Sequence, residues 1–101
     1  MIALALAGIP AASAKTYDVT FASPAMVKDI HLAPGHYRLR MDGTNITFTD
    51  LDGNSYRTTA RVEQVAKKFS DTEVETRMTG GTDHVEEIRL QGTRTELEFN
   101  P

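Results

Sequence analysis

Tyr37-Arg38-Leu39-Arg40-Met41-Asp42-Gly43-Thr44-Asn45-Ile46-Thr47-Phe48-Thr49-Asp50-Leu51-Asp52-Gly53-Asn54-Ser55-Tyr56-Arg57-Thr58-Thr59-Ala60-Arg61-Val62 alternates around two Asp-Gly turns. Tyr37, Leu39 and Met41 share one side of a strand, and Arg38 and Arg40 share the other. Ile46 and Phe48 alternate with Thr47 and Thr49, and Tyr56, Thr58, Ala60 and Val62 with Arg57, Thr59 and Arg61. Period-two alternation between turn signals reads as strands. The loop lengths fix the register, because a one-residue slip would turn the apolar side outward. A two-residue loop at Asp52-Gly53 would set Phe48 opposite Arg57 and mix the faces. A three-residue loop, Leu51-Asp52-Gly53, sets Phe48 opposite Tyr56 and Ile46 opposite Thr58. Such a loop ends in a left-handed residue, a conformation glycine adopts without steric cost. The Asp42-Gly43-Thr44-Asn45 turn likewise sets Met41 opposite Ile46 and Leu39 opposite Phe48. Residues 37–62 therefore read as a three-stranded meander with one apolar face.

The same alternation extends outward. Tyr17, Val19 and Phe21 form one strand, Ile30 and Leu32 another. Val74, Thr76 and Met78 alternate with Glu73, Glu75 and Arg77, and Leu97 and Phe99 with Glu96 and Glu98. At Pro34-Gly35 two readings stay open. A two-residue hairpin pairs Leu32 with Tyr37 and places Asp29 and His31 opposite Arg40 and Arg38. Pro-Gly favours an unprimed turn, however, so the chain could instead cross between sheets there. In the Gly80-Gly81 hairpin, either Val85 faces solvent or a bulge realigns the strand. Leu90 and Ile88 pair with Leu97 and Phe99 in a register that sets Arg89 opposite Glu98. Val62, Val65 and Phe69 recur at helical spacing, so a short helix over 62–69 competes with a continued strand.

The expected fold is all-β: one small antiparallel β-sandwich or partly open barrel, with about seven strands in a largely meander order. The expected core comprises Tyr17, Val19, Phe21, Ile30, Leu32, Tyr37, Leu39, Met41, Ile46, Phe48, Tyr56, Val62, Val74, Met78, Ile88, Leu90, Leu97 and Phe99.

Ahead of this domain, Met1 to Ala7 is apolar, Gly8 and Pro10 interrupt it, and Ala12-Ser13-Ala14 offers small residues before Lys15. This pattern reads as the back part of a secretory signal peptide over 1–14, cleaved after Ala14, with its basic n-region missing; the expected explanations are a translation start upstream of Met1 or a chain clipped at a later methionine. It is too short to span a bilayer, which takes ~20 apolar residues. Residues 15–101 then form one domain, exported to the periplasm or beyond the cell. The 101 residues include no cysteine. That excludes disulfides, thiol nucleophiles and cysteine zinc sites, and the hydrophobic core must hold the domain alone. It also fits bacterial export.

The net charge is −3 and unevenly spread. Residues 15–70 hold eight Lys and Arg against six Asp and Glu, whereas 71–101 hold three against eight. With no run of five like charges, nucleic acid is not an expected partner.

Candidate chemistry is sparse. Asp50, Asp52 and Asn54 have the alternate spacing of a calcium loop, but Ser55 stands where such a loop needs glycine and Arg61 where it needs a carboxylate. A hairpin turn accounts for these residues, and no metal or cofactor is expected. His31, His36 and Asp29 lie near arginines in the hairpin register, a poor setting for a metal cation. Ser23, Ser55 and Ser70 lack a nucleophile-elbow context. Glu86-Glu87 and Glu96 with Glu98 read as solvated carboxylates, so no catalytic constellation emerges. The feature with a location is the outward side of the meander. There Arg38, Arg40, Arg57 and Arg61 stand among Thr47, Thr49 and Thr59, a face suited to an anionic envelope polysaccharide or an acidic protein surface.

Leu32-Ala33-Pro34-Gly35-His36-Tyr37-Arg38-Leu39, with Asp42-Gly43 and the closing stretch Ile88-Arg89-Leu90-Gln91-Gly92-Thr93-Arg94-Thr95-Glu96-Leu97-Glu98-Phe99, resembles a family of small uncharacterised exported proteins of soil bacteria such as acidobacteria. Gln91 departs from the glycine expected there. The Leu-Ala-Pro-Gly-x-Tyr stretch is also similar to the start of a strand in prealbumin-like and carboxypeptidase-regulatory-like β-sandwiches. The resemblance implies a signal peptide plus one β domain and carries no functional residue. The function expected is a non-catalytic secreted or envelope-associated binding or structural module. The alternative is a small-ligand carrier with a barrel cavity.

Overall fold

A computed structural model describes residues 15–99 and contains ten strands. The expected leader over 1–14 lies outside the described residues. The strands are β1 (Lys15–Phe21), β2 (Ala25–Val27), β3 (Ile30–Leu32), β4 (Gly35–Asp42), β5 (Asn45–Asp50), β6 (Ser55–Thr59), β7 (Arg61–Gln64), β8 (Glu73–Thr79), β9 (Thr82–Arg89) and β10 (Thr95–Glu98). One sheet has the order β1-β4-β5-β6. In the other, β3-β2-β9-β10-β7 run in sequence and β8 pairs with β9. The two sheets pack as a β-sandwich and do not close into a barrel. No helix among the described residues is long and apolar enough to cross a membrane.

The meander forms in the expected register. Leu39 pairs with Phe48, Met41 with Ile46, Phe48 with Tyr56, and Ile46 with Thr58. Gly53 takes a φ of 90° at the end of its three-residue loop. Asp50 secures that loop by accepting the amides of Asp52 and Asn54 on Oδ1, each at 2.9 Å. The meander ends sooner than residue 62. Ala60 is buried, and its amide donates to the Thr44 carbonyl at 3.0 Å. Its small side chain lets the chain pass to the second sheet, so Arg61 and Val62 belong to β7.

The chain also changes sheets at Pro34-Gly35, and the Leu32–Tyr37 hairpin does not form. Leu32 pairs with Ala25 in one sheet and Tyr37 with Val19 in the other. His31 lies opposite Met26 in the second sheet, away from His36, Arg38 and Arg40. In the Gly80-Gly81 hairpin a bulge realigns the strand. Glu75 pairs with Glu87 but Thr76 with Val85, which buries Val85.

Several expectations are corrected. Ten strands replace about seven, because Ala25–Val27 adds a strand and Ala60 divides β6 from β7. The meander order is broken where β1 pairs β4, where β2 runs parallel to β9, and where β10 pairs β7. No helix forms over 62–69. Val62 lies in β7, and beyond it the amides of Val65 and Phe69 donate to Arg94 and Thr93 carbonyls, both at 2.8 Å. So short a helix needs packing to stand, and the neighbouring turn captures these donors instead. The last hairpin is two residues tighter than expected. Ile88 pairs with Leu97 and Arg89 with Glu96, not Glu98. Thr93 closes this turn through its amide and hydroxyl, both donating to the Leu90 carbonyl. A two-residue shift leaves the faces unchanged.

The core between the sheets holds Phe48, Leu32, Leu39, Ile46, Ile88, Leu90, Leu97 and Val27 fully buried. Burying each large apolar side chain is worth roughly 1.5–3 kcal/mol. Phe48 is the hub of an aromatic cluster, with ring centroids 6.1 Å from Phe21 and 6.4 Å from Tyr37 and Phe99. Met78 departs from the expected core: it is 65% exposed near the tip of the β8–β9 hairpin. Ala25, Val27, Ala60 and Val85 extend the core beyond the expected set, Val85 through the bulge and Ala60 from the inward side of the alternation.

Candidate functional site

Alternation sends Thr16, Asp18 and Thr20 of β1 outward, with His36, Arg38 and Arg40 of β4, Thr47 and Thr49 of β5, and Ser55 and Arg57 of β6. Register arranges them in rows across the strands. One row reads Thr16-Arg40-Thr47-Arg57, the next Asp18-Arg38-Thr49-Ser55. Arg38, Arg40 and Arg57 are exposed. Among the described residues they enter no ion pair, whereas Arg61, Arg77 and Arg89 are each held by glutamates. His36 is tied to Thr20, its Nδ1 lying 2.9 Å from the hydroxyl. Lys28 reaches the same sheet from the β2–β3 turn and donates to the Thr59 hydroxyl at 3.1 Å. Two open depressions mark the face. One, of about 360 Å³, is lined by Arg40, Asp42, Asn45, Thr47 and Arg57. The other, of about 590 Å³, lies beside Arg38 and includes Asp18, His36, Thr49 and Leu51.

The structure thus brings together three of the four expected arginines. Arg61 is the exception and lies on the second sheet, donating to Glu63 at 3.0 Å and also to Glu98. The calcium-like residues form a turn. Both carboxylate oxygens of Asp50 accept hydrogen bonds from the chain, Oδ2 from the Asn54 side chain at 3.1 Å. These bonds, chiefly that from the Asn54 amide, hold the Asp50 carboxyl below its ordinary pKa.

The second sheet carries the opposite sign. Its outward rows are Glu73-Arg89-Glu96-Glu63 and Glu75-Glu87-Glu98-Arg61. Arg89 sits among four carboxylates, 2.9 Å from Glu87, 3.3 Å from Glu73, 3.6 Å from Glu75 and 3.9 Å from Glu96. Burial pushes the Glu87 carboxyl up; Arg89 opposes this, and Glu96 and Glu75 reinforce it. Its buried Oε2 faces Arg89 but makes no hydrogen bond. Glu63, Glu96 and Glu98 bring carboxylate oxygens within 4.8 Å of one another, and the Arg61 guanidinium already binds two of the three. The sequence showed an acidic C-terminal third but not this face. Glu63 comes from β7, before that third, and only the β7–β10 register places it beside Glu96.

A scan against protein-family models found no match, and comparisons with curated proteins and with solved structures found none either.

Proposed function

We propose that this chain is a non-catalytic binding or structural module of an exported compartment, whose β1-β4-β5-β6 face docks a partner bearing rows of carboxylate or sulfate groups. The observation that carries the reading is the contrast among the arginines. Those of the second sheet are neutralised by glutamates, while Arg38, Arg40 and Arg57 stand together and enter no ion pair among the described residues. Their guanidinium groups match such anions in geometry, offering paired N–H donors to paired oxygens. Thr47 and Thr49 add hydroxyl donors between them. The filled core favours this module over a carrier, since aromatic rings occupy the space a ligand would need. The leader-like pattern over 1–14 and the lack of cysteine support export to the periplasm or beyond the cell.

Retention on an immobilised polyanion such as polygalacturonate tests this. Wild-type protein should bind at low salt and elute as salt rises. Arg40→Glu with Arg57→Glu should abolish retention with thermal stability nearly unchanged, because exposed charges add little to folding. Equal retention of the two proteins would contradict the reading.

A further inference from the structure

The two outer faces of the sandwich carry opposite charge, and their charges share one spacing. On the basic face, Arg40 and Arg57 stand in the same row two strands apart. On the acidic face, Glu73 and Glu96 stand two strands apart across Arg89, and Glu75 and Glu98 across Glu87. Strands are spaced by ~4.8 Å, so each of these pairs spans ~9.6 Å. We infer that the acidic β8-β9-β10-β7 face of one copy docks on the basic β1-β4-β5-β6 face of a second copy. This rests on the reading of the arginine face as an anion-binding surface and names its partner.

Charge balance supports that occupant. In these rows six glutamates stand with Arg61 and Arg89, and Arg77 beyond them is paired with Glu86, so the internal ion pairs leave a surplus of negative charge. Glu73 and Glu75 keep about half of their side-chain surface open to solvent. The basic face has a smaller converse surplus: three arginines stand with the outward carboxylates Asp18 and Asp42, and among the described residues none of the three enters an ion pair. The faces lie on opposite sides of the molecule, so one contact leaves a basic and an acidic face free at its ends. Such a head-to-tail contact is heterologous and continues into open stacks unless the rotation closes a ring.

Complementary variants test the geometry. Arg40→Ser with Arg57→Ser removes the spaced arginine pair from the basic face, and Glu73→Gln with Glu75→Gln neutralises the exposed part of the acidic one. Analytical ultracentrifugation of wild-type protein at low salt should show association that grows with concentration. It should vanish in 1 M salt, where the Debye length is about 3 Å. Each variant alone should be monomeric, and their mixture should form 1:1 dimers and nothing larger. A wild-type protein that stays monomeric at low salt overturns the inference, as does a mixture that forms no dimer. Polygalacturonate binding measured alongside separates the two failures. If the polymer binds and copies do not associate, only the choice of partner is wrong; if neither occurs, the anion-binding reading falls as well.

Discussion

Arg40 and Arg57 flank Thr47, each paired with it in register from the neighbouring strands β4 and β6. A flat sheet face holds these guanidinium groups in a row because strand pairing fixes their spacing. Arg61 follows Arg57 at the same period in sequence, yet the crossing at Ala60 removes it to the other sheet. Arg61→Ser should therefore leave polyanion retention at the wild-type level while Arg57→Ser lowers it. Salt gradients on the two variants check this, and equal losses would return Arg61 to the binding face.

Phe48 is fully buried and contacts three aromatic neighbours. Phe48→Ala should cost roughly 3–5 kcal/mol, the range for a truncated core phenylalanine. Thr47→Ala, one residue away on the outer face, should cost far less. Urea unfolding measures both, and a reversed order would mean the meander is turned over.

The Tyr37 hydroxyl donates to the Ala33 carbonyl at 2.6 Å, pinning the point where the chain changes sheets. Tyr37→Phe removes this bond and keeps the ring packing. It should destabilise by about 1 kcal/mol, the net worth of one such hydrogen bond. A change indistinguishable from zero in urea unfolding would show that the crossing is held by ring packing alone.

Glu87 should lower stability at neutral pH. Its folded pKa lies above the ordinary value of 4.5 because burial disfavours the charge. The folded state then holds the proton more tightly than the unfolded state. The stabilisation is fully present below 4.5 and is lost as pH rises through the folded value. Glu87→Gln should therefore stabilise the protein at pH 7 and flatten this part of the pH dependence. Unfolding midpoints measured across that window decide it; a variant less stable than wild type at pH 7 would contradict the assignment.

Much of the fold was legible where turns and alternation agreed. Asp52-Gly53 admitted only one loop length that kept Phe48 and Tyr56 on one side, and that register is the one found. Crossings were harder, because a strand leaving its sheet keeps the same alternation. Ala60 looks like another inward residue of one strand, and Arg61 was misplaced with it. Pro34-Gly35 carried a usable signal, since its turn preference opposes a tight hairpin. Met78 failed for a different reason: its period is right, but the hairpin tip leaves it 65% exposed. At the site, three arginines were locatable from alternation within one meander. The acidic face was not, because it is assembled from β7, β8, β9 and β10 by pairings distant in sequence.

The most direct test of the central claim is a residue-resolved titration. Amide chemical shifts of the labelled protein, diluted until copies no longer associate, would be followed as polygalacturonate is added at low salt. The account predicts shifts concentrated at Thr16, Arg38, Arg40, Thr47 and Arg57, reversed by added salt, with Glu73, Glu75 and Glu98 unmoved. Shifts centred on the β8-β9-β10-β7 face, or none at saturating polymer, would contradict it.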